Sequence, residues 1–177
     1  YSNKKEALKN ANKLITFTKA DFVKIETDKK NIGIVKYLSD NKVRVVSHIG
    51  VTPQKFSDFS KIKSVGKNYK DAKELLNLAT KLEQAGSKFM VLECINQSVA
   101  KNITDILSIP TIGIGSSKYC DGQVLVIDDI LNFNSGTKKP KFVKNFVNIE
   151  EKISKAVNNF VKSVKNKNFP LQKHSYK

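Results

Sequence analysis

YKDAKELLNLATKLEQAGSKFMVLE, residues 69–93, decides the fold. Ala72, Leu75, Leu76, Ala79 and Leu82 recur at the spacing that collects side chains on one face of a helix, and Gly86 is its stop. The period then changes. Lys88-Phe-Met-Val-Leu-Glu93 is an apolar run of strand length that ends on an acid. A helix feeding a buried strand is half of a βα repeat.

The alternation continues on both sides of this stretch. Upstream, Glu6–Thr18 reads as a helix, Asp21–Glu26 as a short strand, Ile32–Leu38 as a weak helix and Val43–His48 as a strand closed by Gly50 and Pro53. Residues 54–68 lack periodicity and read as a long loop. Downstream, Ser98–Leu107 is a helix, Pro110–Gly115 and Gln123–Ile127 are strands, and Asn132–Lys139 is a loop. Ile149–Val164 is a closing helix with Ile153, Val157, Phe160, Val161 and Val164 on one face, and the Lys-rich tail reads as irregular. Five strands separated by helices predict an α/β domain with a parallel sheet. The 177 residues suffice for one domain, residues 1–177. A closed (β/α)8 barrel typically needs ~250 residues. Pattern alone leaves both an open doubly wound sheet and part of a barrel standing.

Composition narrows the function. Apolar residues make up 40% and charged residues 27%, which excludes global disorder, and no run approaches the ~18 apolar residues of a membrane span. The start, Tyr1-Ser-Asn-Lys-Lys-Glu6, has neither an initiator Met nor the apolar core of a secretory leader, so further chain is expected upstream. The formal charge is +16, yet Arg44 is the only arginine among 32 basic residues. Nucleic-acid readers favour the planar guanidinium fork. A solvated Lys surface is therefore preferred to a polyanion-binding face, although such a field would also draw an anionic substrate. Cys94 and Cys120 have no metal-site spacing, and a reducing cytoplasm is the simpler expectation.

In parallel α/β folds the chemistry gathers at the carboxyl ends of strands. Here those ends carry Lys24 and Glu26, His48, Glu93, the Gly113/Gly115 pair, and Asp128-Asp129. Alternation puts Lys24 and Glu26 on one face. Each has an ordinary alternative: an ion pair for Lys24 and Glu26, a turn histidine for His48, close packing for the glycines. The glycine pair lacks the third Gly and the downstream acid of a dinucleotide site. Glu93 stands out, because an acid ending an apolar strand is costly unless paired or catalytic. The residues alone indicate an α/β enzyme with convergent carboxylates, a lysine and a histidine, without naming a reaction.

His48-Ile-Gly-Val-Thr-Pro-Gln54 resembles a signature of the 3-methyl-2-oxobutanoate (ketopantoate) hydroxymethyltransferase family. Val23-Lys-Ile-Glu26, Val91-Leu-Glu-Cys94, Ile109–Gly115, Asp121–Val126, Pro140–Phe146, Phe169-Pro170 and His174-Ser175 are similar to further motifs of that family, in the same order. The resemblance covers about residues 4 to 175. It implies a (β/α)8 TIM barrel of which this chain supplies about the last five strands, the C-terminal part of a barrel lacking its N-terminal strands. It also implies hydroxymethyl transfer from 5,10-methylenetetrahydrofolate to 3-methyl-2-oxobutanoate in pantothenate synthesis. Glu93 resembles the general base, Lys24 a substrate-binding cation and Glu26 a Mg²⁺-site acid, with His48 near the substrate. Cytoplasmic homo-oligomers, commonly decamers, with no membrane or nucleic-acid partner, are the implied setting. Two metal-holding aspartates and a serine belong to the family's earlier third, before the motifs matched here. Ser116-Ser117 departs from the Ala and Gly usual at that point. The rival expectations are an inactive truncated barrel, another enolate-forming barrel acting on a related keto acid, and a basic nucleic-acid-binding module.

Overall fold

The structure, a computed structural model, describes residues 3–53, 63–133 and 139–176. The chain divides into two compact units, Tyr1–Val124 with Pro140–Phe142, and Leu125–Lys139 with Val143–Lys177. The first contains α1 (Lys4–Thr18), β1 (Val23–Glu26), α2 (Ile32–Asp40), β2 (Val45–Gly50), α3 (Tyr69–Gln84), β3 (Phe89–Glu93), α4 (Gln97–Ile106), β4 (Thr111–Ile114) and β5 (Gly122–Gln123). The second contains α5 (Ile127–Leu131), α6 (Ile149–Lys165) and a 3-10 turn at Gln172–His174.

Helices α1, α3 and α4 start where an asparagine side chain satisfies free backbone donors. Asn3 accepts from the amides of Lys5 and Glu6, each at 3.0 Å, and Asn68 accepts from Asp71 at 2.9 Å. Helix α3 ends before Gly86, whose φ of +103° and tight contact with Ser39 exclude a side chain.

All four strand pairings are parallel, in the order β1-β2-β3-β4-β5. A doubly wound sheet reverses its order at a switch point. This sheet never does, and consecutive parallel strands are the arrangement of a barrel wall. Between the two architectures left open by pattern, the order selects the second.

Register partners in a parallel pair share a face. One face carries Ile25, Val45, Ile49, Met90 and Leu92, packed with Val35, Leu38, Ala79, Leu82, Ala100 and Ile103 from the helices into one apolar core. The opposite face carries Lys24 and Glu26, Val46 and His48, Phe89, Val91 and Glu93, and Ile112 and Ile114. Arg44 lies over the ring of Phe22, 5.6 Å from its centroid, and Phe22 meets Phe89 edge-on. The single arginine is thus engaged beside the sheet's amino end.

The fifth strand departs from its expected span. It is two residues long and, among the described residues, pairs only with β4, and Ile127 opens a helix. An edge strand has one ladder partner, so the apolar run Val124–Ile127 gains no second neighbour, and Val124, Val126 and Ile127 are exposed. Asp128 and Asp129 consequently sit in the first turn of α5, where carboxylates suit the helix dipole, and not at a strand end.

In the second unit, Phe146 donates its amide to the carbonyl of Ile130 at 2.9 Å. Helix α6 is charge-matched, with Glu150 and Glu151 in its first turn and Lys162 and Lys165 in its last. Its apolar stripe is present as expected, yet Ile153, Val157, Phe160, Val161 and Val164 are all exposed.

Candidate active site

The face of the sheet opposite the apolar core changes character along the strands. Toward the amino ends it carries the apolar Val46 and Phe89, and Val91 stands level with His48. At the carboxyl end it becomes polar. Glu26 is level with His48, and Glu93 lies two register pairs further on, level with Gly50 and Ile114. Lys24 starts level with Val46, but its four-carbon stem carries the ammonium to 3.5 Å from His48 Nδ1. On the other side of the ring, His48 Nε2 stands 3.2 Å from Glu93 Oε2. The three residues form one line across three adjacent strands.

Burial grades along this line. Lys24 is exposed, the Glu93 side chain keeps 12% of its exposure, and the His48 side chain keeps 0%. The carbonyl of His48 is fixed by Thr27, which donates both its amide at 2.8 Å and its hydroxyl at 2.9 Å. The Nε2 atom is buried and within ion-pair distance of Glu93, but it lacks the alignment of a hydrogen bond.

Glu93 is clamped through its backbone. Val51 donates to its carbonyl at 2.9 Å, and Gly50 lies so close that a Cβ there would stand 2.1 Å from that oxygen. Cys94 follows in the left-handed region, φ 51°, and donates its amide to Ile114 at 2.9 Å. The Ser116 hydroxyl donates to Leu92 O at 2.7 Å and accepts from Ile95 N at 3.0 Å. It therefore grips the chain on both sides of Glu93. Burial, followed by the charge of Glu93, pushes the Cys94 thiol up to about 11, which removes it as a nucleophile near neutral pH. Both cysteines are free and buried.

The glycines after β4 serve packing. Gly115, at φ +61°, leaves room for the Phe142 ring, and Gly113 for the Gln123 amide and Cys120. Asp128 and Asp129 lie in the first turn of α5. Among the described residues no group of three His, Cys, Asp or Glu side chains is placed to hold a metal ion. Glu26, half-buried on the polar end of the face, offers one hard oxygen donor.

Alternation in the sequence brings Lys24 and Glu26 to one face, as found. The direct approach of His48 to Glu93, the Gly50 contact and the Ser116 clasp were not anticipated. Only Ser116 left a trace, as a departure from the resembling motif.

The chain's residues 1–172 match the family model for ketopantoate hydroxymethyltransferase. The chain is 47% identical over 176 residues to the 3-methyl-2-oxobutanoate hydroxymethyltransferase of Pelagibacter ubique (strain HTCC1062), covering 99% of this chain and 66% of that protein. It is 45% identical over 176 residues to the protein of the same name from Buchnera aphidicola subsp. Schizaphis graminum, with the same shares covered. With that of Syntrophomonas wolfei the identity is 41% over 174 residues, covering 98% of this chain and 63% of the relative. The chain thus spans just under two thirds of the length of the curated relatives it matches.

Proposed function

The chain belongs to the ketopantoate hydroxymethyltransferase family, and from that premise we propose that it carries part of the active site that moves a one-carbon unit from 5,10-methylenetetrahydrofolate to 3-methyl-2-oxobutanoate, giving ketopantoate for pantothenate synthesis. The observation that carries this function is the line Lys24–His48–Glu93 at the carboxyl ends of adjacent parallel strands. We further propose that the whole chain is one part of a single (β/α)8 barrel, completed by the remaining third of a protein of its relatives' length. The setting proposed with it is a cytoplasmic homo-oligomer, a decamer on family grounds.

The chemical problem is an unactivated C–H bond beside a ketone. Glu93 is the general base: its carboxylate takes the C3 proton, and the C–H electron pair becomes the C2–C3 bond of an enolate. The Lys24 ammonium meets the anionic substrate and offsets its growing oxygen charge. The enolate carbon then bonds to the methylene carbon as the first of its two carbon–nitrogen bonds to the folate breaks. The second breaks as the oxygen of water bonds to the same carbon, and a proton of that water goes to one of the two freed nitrogens. The proton held by Glu93 leaves with the tetrahydrofolate nitrogen or to solvent. When bound, a hard divalent ion such as Mg²⁺ supplies Lewis-acid polarisation of the substrate oxygens. Glu26 is the residue here suited to hold it, one oxygen ligand of the several that Mg²⁺ takes. A nucleic-acid role has less support, since Lys29, Lys36, Lys101 and Lys155 are engaged with carboxylates and Arg44 with Phe22.

The test is exchange of the substrate C3 hydrogen with deuterium oxide, followed by NMR in the complete protein. A general base contributes roughly 10²–10⁴-fold in rate. Glu93→Gln keeps the shape without the basicity, so exchange and product formation should fall by that factor while the circular dichroism is unchanged. Exchange at the wild-type rate in folded Glu93→Gln would assign the base elsewhere.

A further inference from the structure

His48 is the one member of the line without a step of its own, and its surroundings define what it does. Its ring is wholly buried, with Lys24 Nζ at 3.5 Å from one nitrogen and Glu93 Oε2 at 3.2 Å from the other. An ammonium has donors only, and an ionised carboxylate has acceptors only. Nδ1, facing the ammonium, must therefore present its lone pair, and the proton belongs on Nε2, facing Glu93. A proton on Nδ1 would oppose two donors and leave two acceptors, Nε2 and the carboxylate, facing each other. A doubly protonated ring would set an N–H against the ammonium. Only the neutral Nε2–H tautomer satisfies both neighbours.

We propose that His48 is a positioning residue that holds the base and the substrate cation in one register: Nδ1 accepts from Lys24, and Nε2–H donates to Glu93. The donated bond occupies one carboxylate oxygen and orients the other toward the substrate. His48 neither takes nor gives the C3 proton, so its charge is constant through the reaction. In the structure the Nε2 contact is within reach but misaligned. Such contacts commonly align only once substrate is bound. The orienting effect thus acts on turnover more than on substrate affinity. This proposal rests on the hydroxymethyl-transfer function proposed above.

The experiment compares His48→Gln and His48→Asn in the complete protein. The Gln amide nitrogen reaches the place of Nε2, whereas the Asn amide reaches only that of Nδ1. His48→Gln should keep kcat for C3 exchange within a few-fold of wild type. His48→Asn should lower kcat by roughly 10- to 100-fold, as for a lost hydrogen bond to a charged group, with KM nearly unchanged. In a Glu93→Gln background, His48→Asn should cost little more, because its partner is gone. Equal losses in both variants, or wild-type kcat in folded His48→Asn, would overturn the proposal. Should His48→Asn fail to fold, the ring ¹⁵N shifts of His48 in the wild-type protein decide: protonated Nε2 with unprotonated Nδ1 is expected, and a proton on Nδ1 overturns it. A wild-type protein that neither exchanges C3 nor forms ketopantoate would sink the function itself, an outcome distinct from any pattern among the His48 variants.

Discussion

Gly50→Ala should damage both the stability of the sheet and the chemistry of Glu93. The glycine has φ +104°, and an added methyl carbon would stand 2.1 Å from Glu93 O, 3.1 Å from Glu93 C and 2.8 Å from Ile95 Cγ1. Ordinary van der Waals contact begins at 3.4 Å, so strands β2 and β3 must part locally by roughly 1 Å. Two costs follow. Holding alanine in this region of backbone space costs about 1–3 kcal/mol. Parting the strands also weakens the 2.9 Å bond from Val51 N to Glu93 O, worth about 1 kcal/mol. Together they predict a loss of roughly 2–4 kcal/mol in urea unfolding. The same shift moves Glu93, and a displacement of ~1 Å at a reacting group costs on the order of 10²-fold. The C3 exchange assay should register that loss at temperatures where the variant is still folded. Gly33→Ala is the control: its added methyl meets nothing within 4 Å in α2, and helix propensity predicts a gain of about 0.5–1 kcal/mol. Gly50→Ala with wild-type stability and wild-type exchange would refute the argument that this close approach sets the position of Glu93.

Three further outcomes are expected. Lys24→Ala should weaken keto-acid binding or turnover by ~2–4 kcal/mol, as for loss of a charged substrate contact, whereas Lys173→Ala in the tail should leave the steady-state constants unchanged. Glu26→Gln should weaken Mg²⁺ binding in a calorimetric titration by roughly 10- to 100-fold, measured without either substrate. The Asp121 carboxylate is held below the usual aspartate range by the backbone amide of Thr111, at 2.7 Å, and by the Thr111 hydroxyl. Its contribution is therefore complete above the unfolded aspartate pKa of about 3.9 and disappears as pH falls through the lower folded value. Asp121→Asn should cost about 1 kcal/mol at pH 7 after allowance for solvent screening, and nothing in acid below both values.

What could be read in advance follows from which interactions are local. Helix α3 and strand β3 were legible because their periods differ and Gly86 separates them. Strands β1 to β4 fall within a residue or two of their expected spans, since each is an apolar run between turn signals. Strand β5 failed because an apolar run forms a strand only where neighbours pair with it, and here one neighbour pairs with two residues. Helix α6 had the right period, but periodicity does not say whether a stripe is covered, and this one is exposed. The same limit applies at the site. Alternation within β1 was enough to put Lys24 beside Glu26. The approach of His48 to Glu93 depends on the β2–β3 register, which sets Glu93 opposite Gly50, two residues beyond His48. No single strand carries that information.

The register also distinguishes a built site from a solvated face. If the side of the sheet opposite the apolar core merely met water, polar side chains would be scattered along its length. Instead the apolar Val46 and Phe89 lie toward the amino ends, and Glu26, His48 and Glu93 gather toward the carboxyl ends. Lys24 is level with Val46 but extends its ammonium to 3.5 Å from His48 Nδ1. A fully buried imidazole is costly unless its polar atoms find partners. In the structure Nδ1 stands 3.5 Å from the Lys24 ammonium, while Nε2 is buried without a hydrogen bond at 3.2 Å from Glu93 Oε2, so the alignment proposed on substrate binding would satisfy His48 and orient Glu93 in one step.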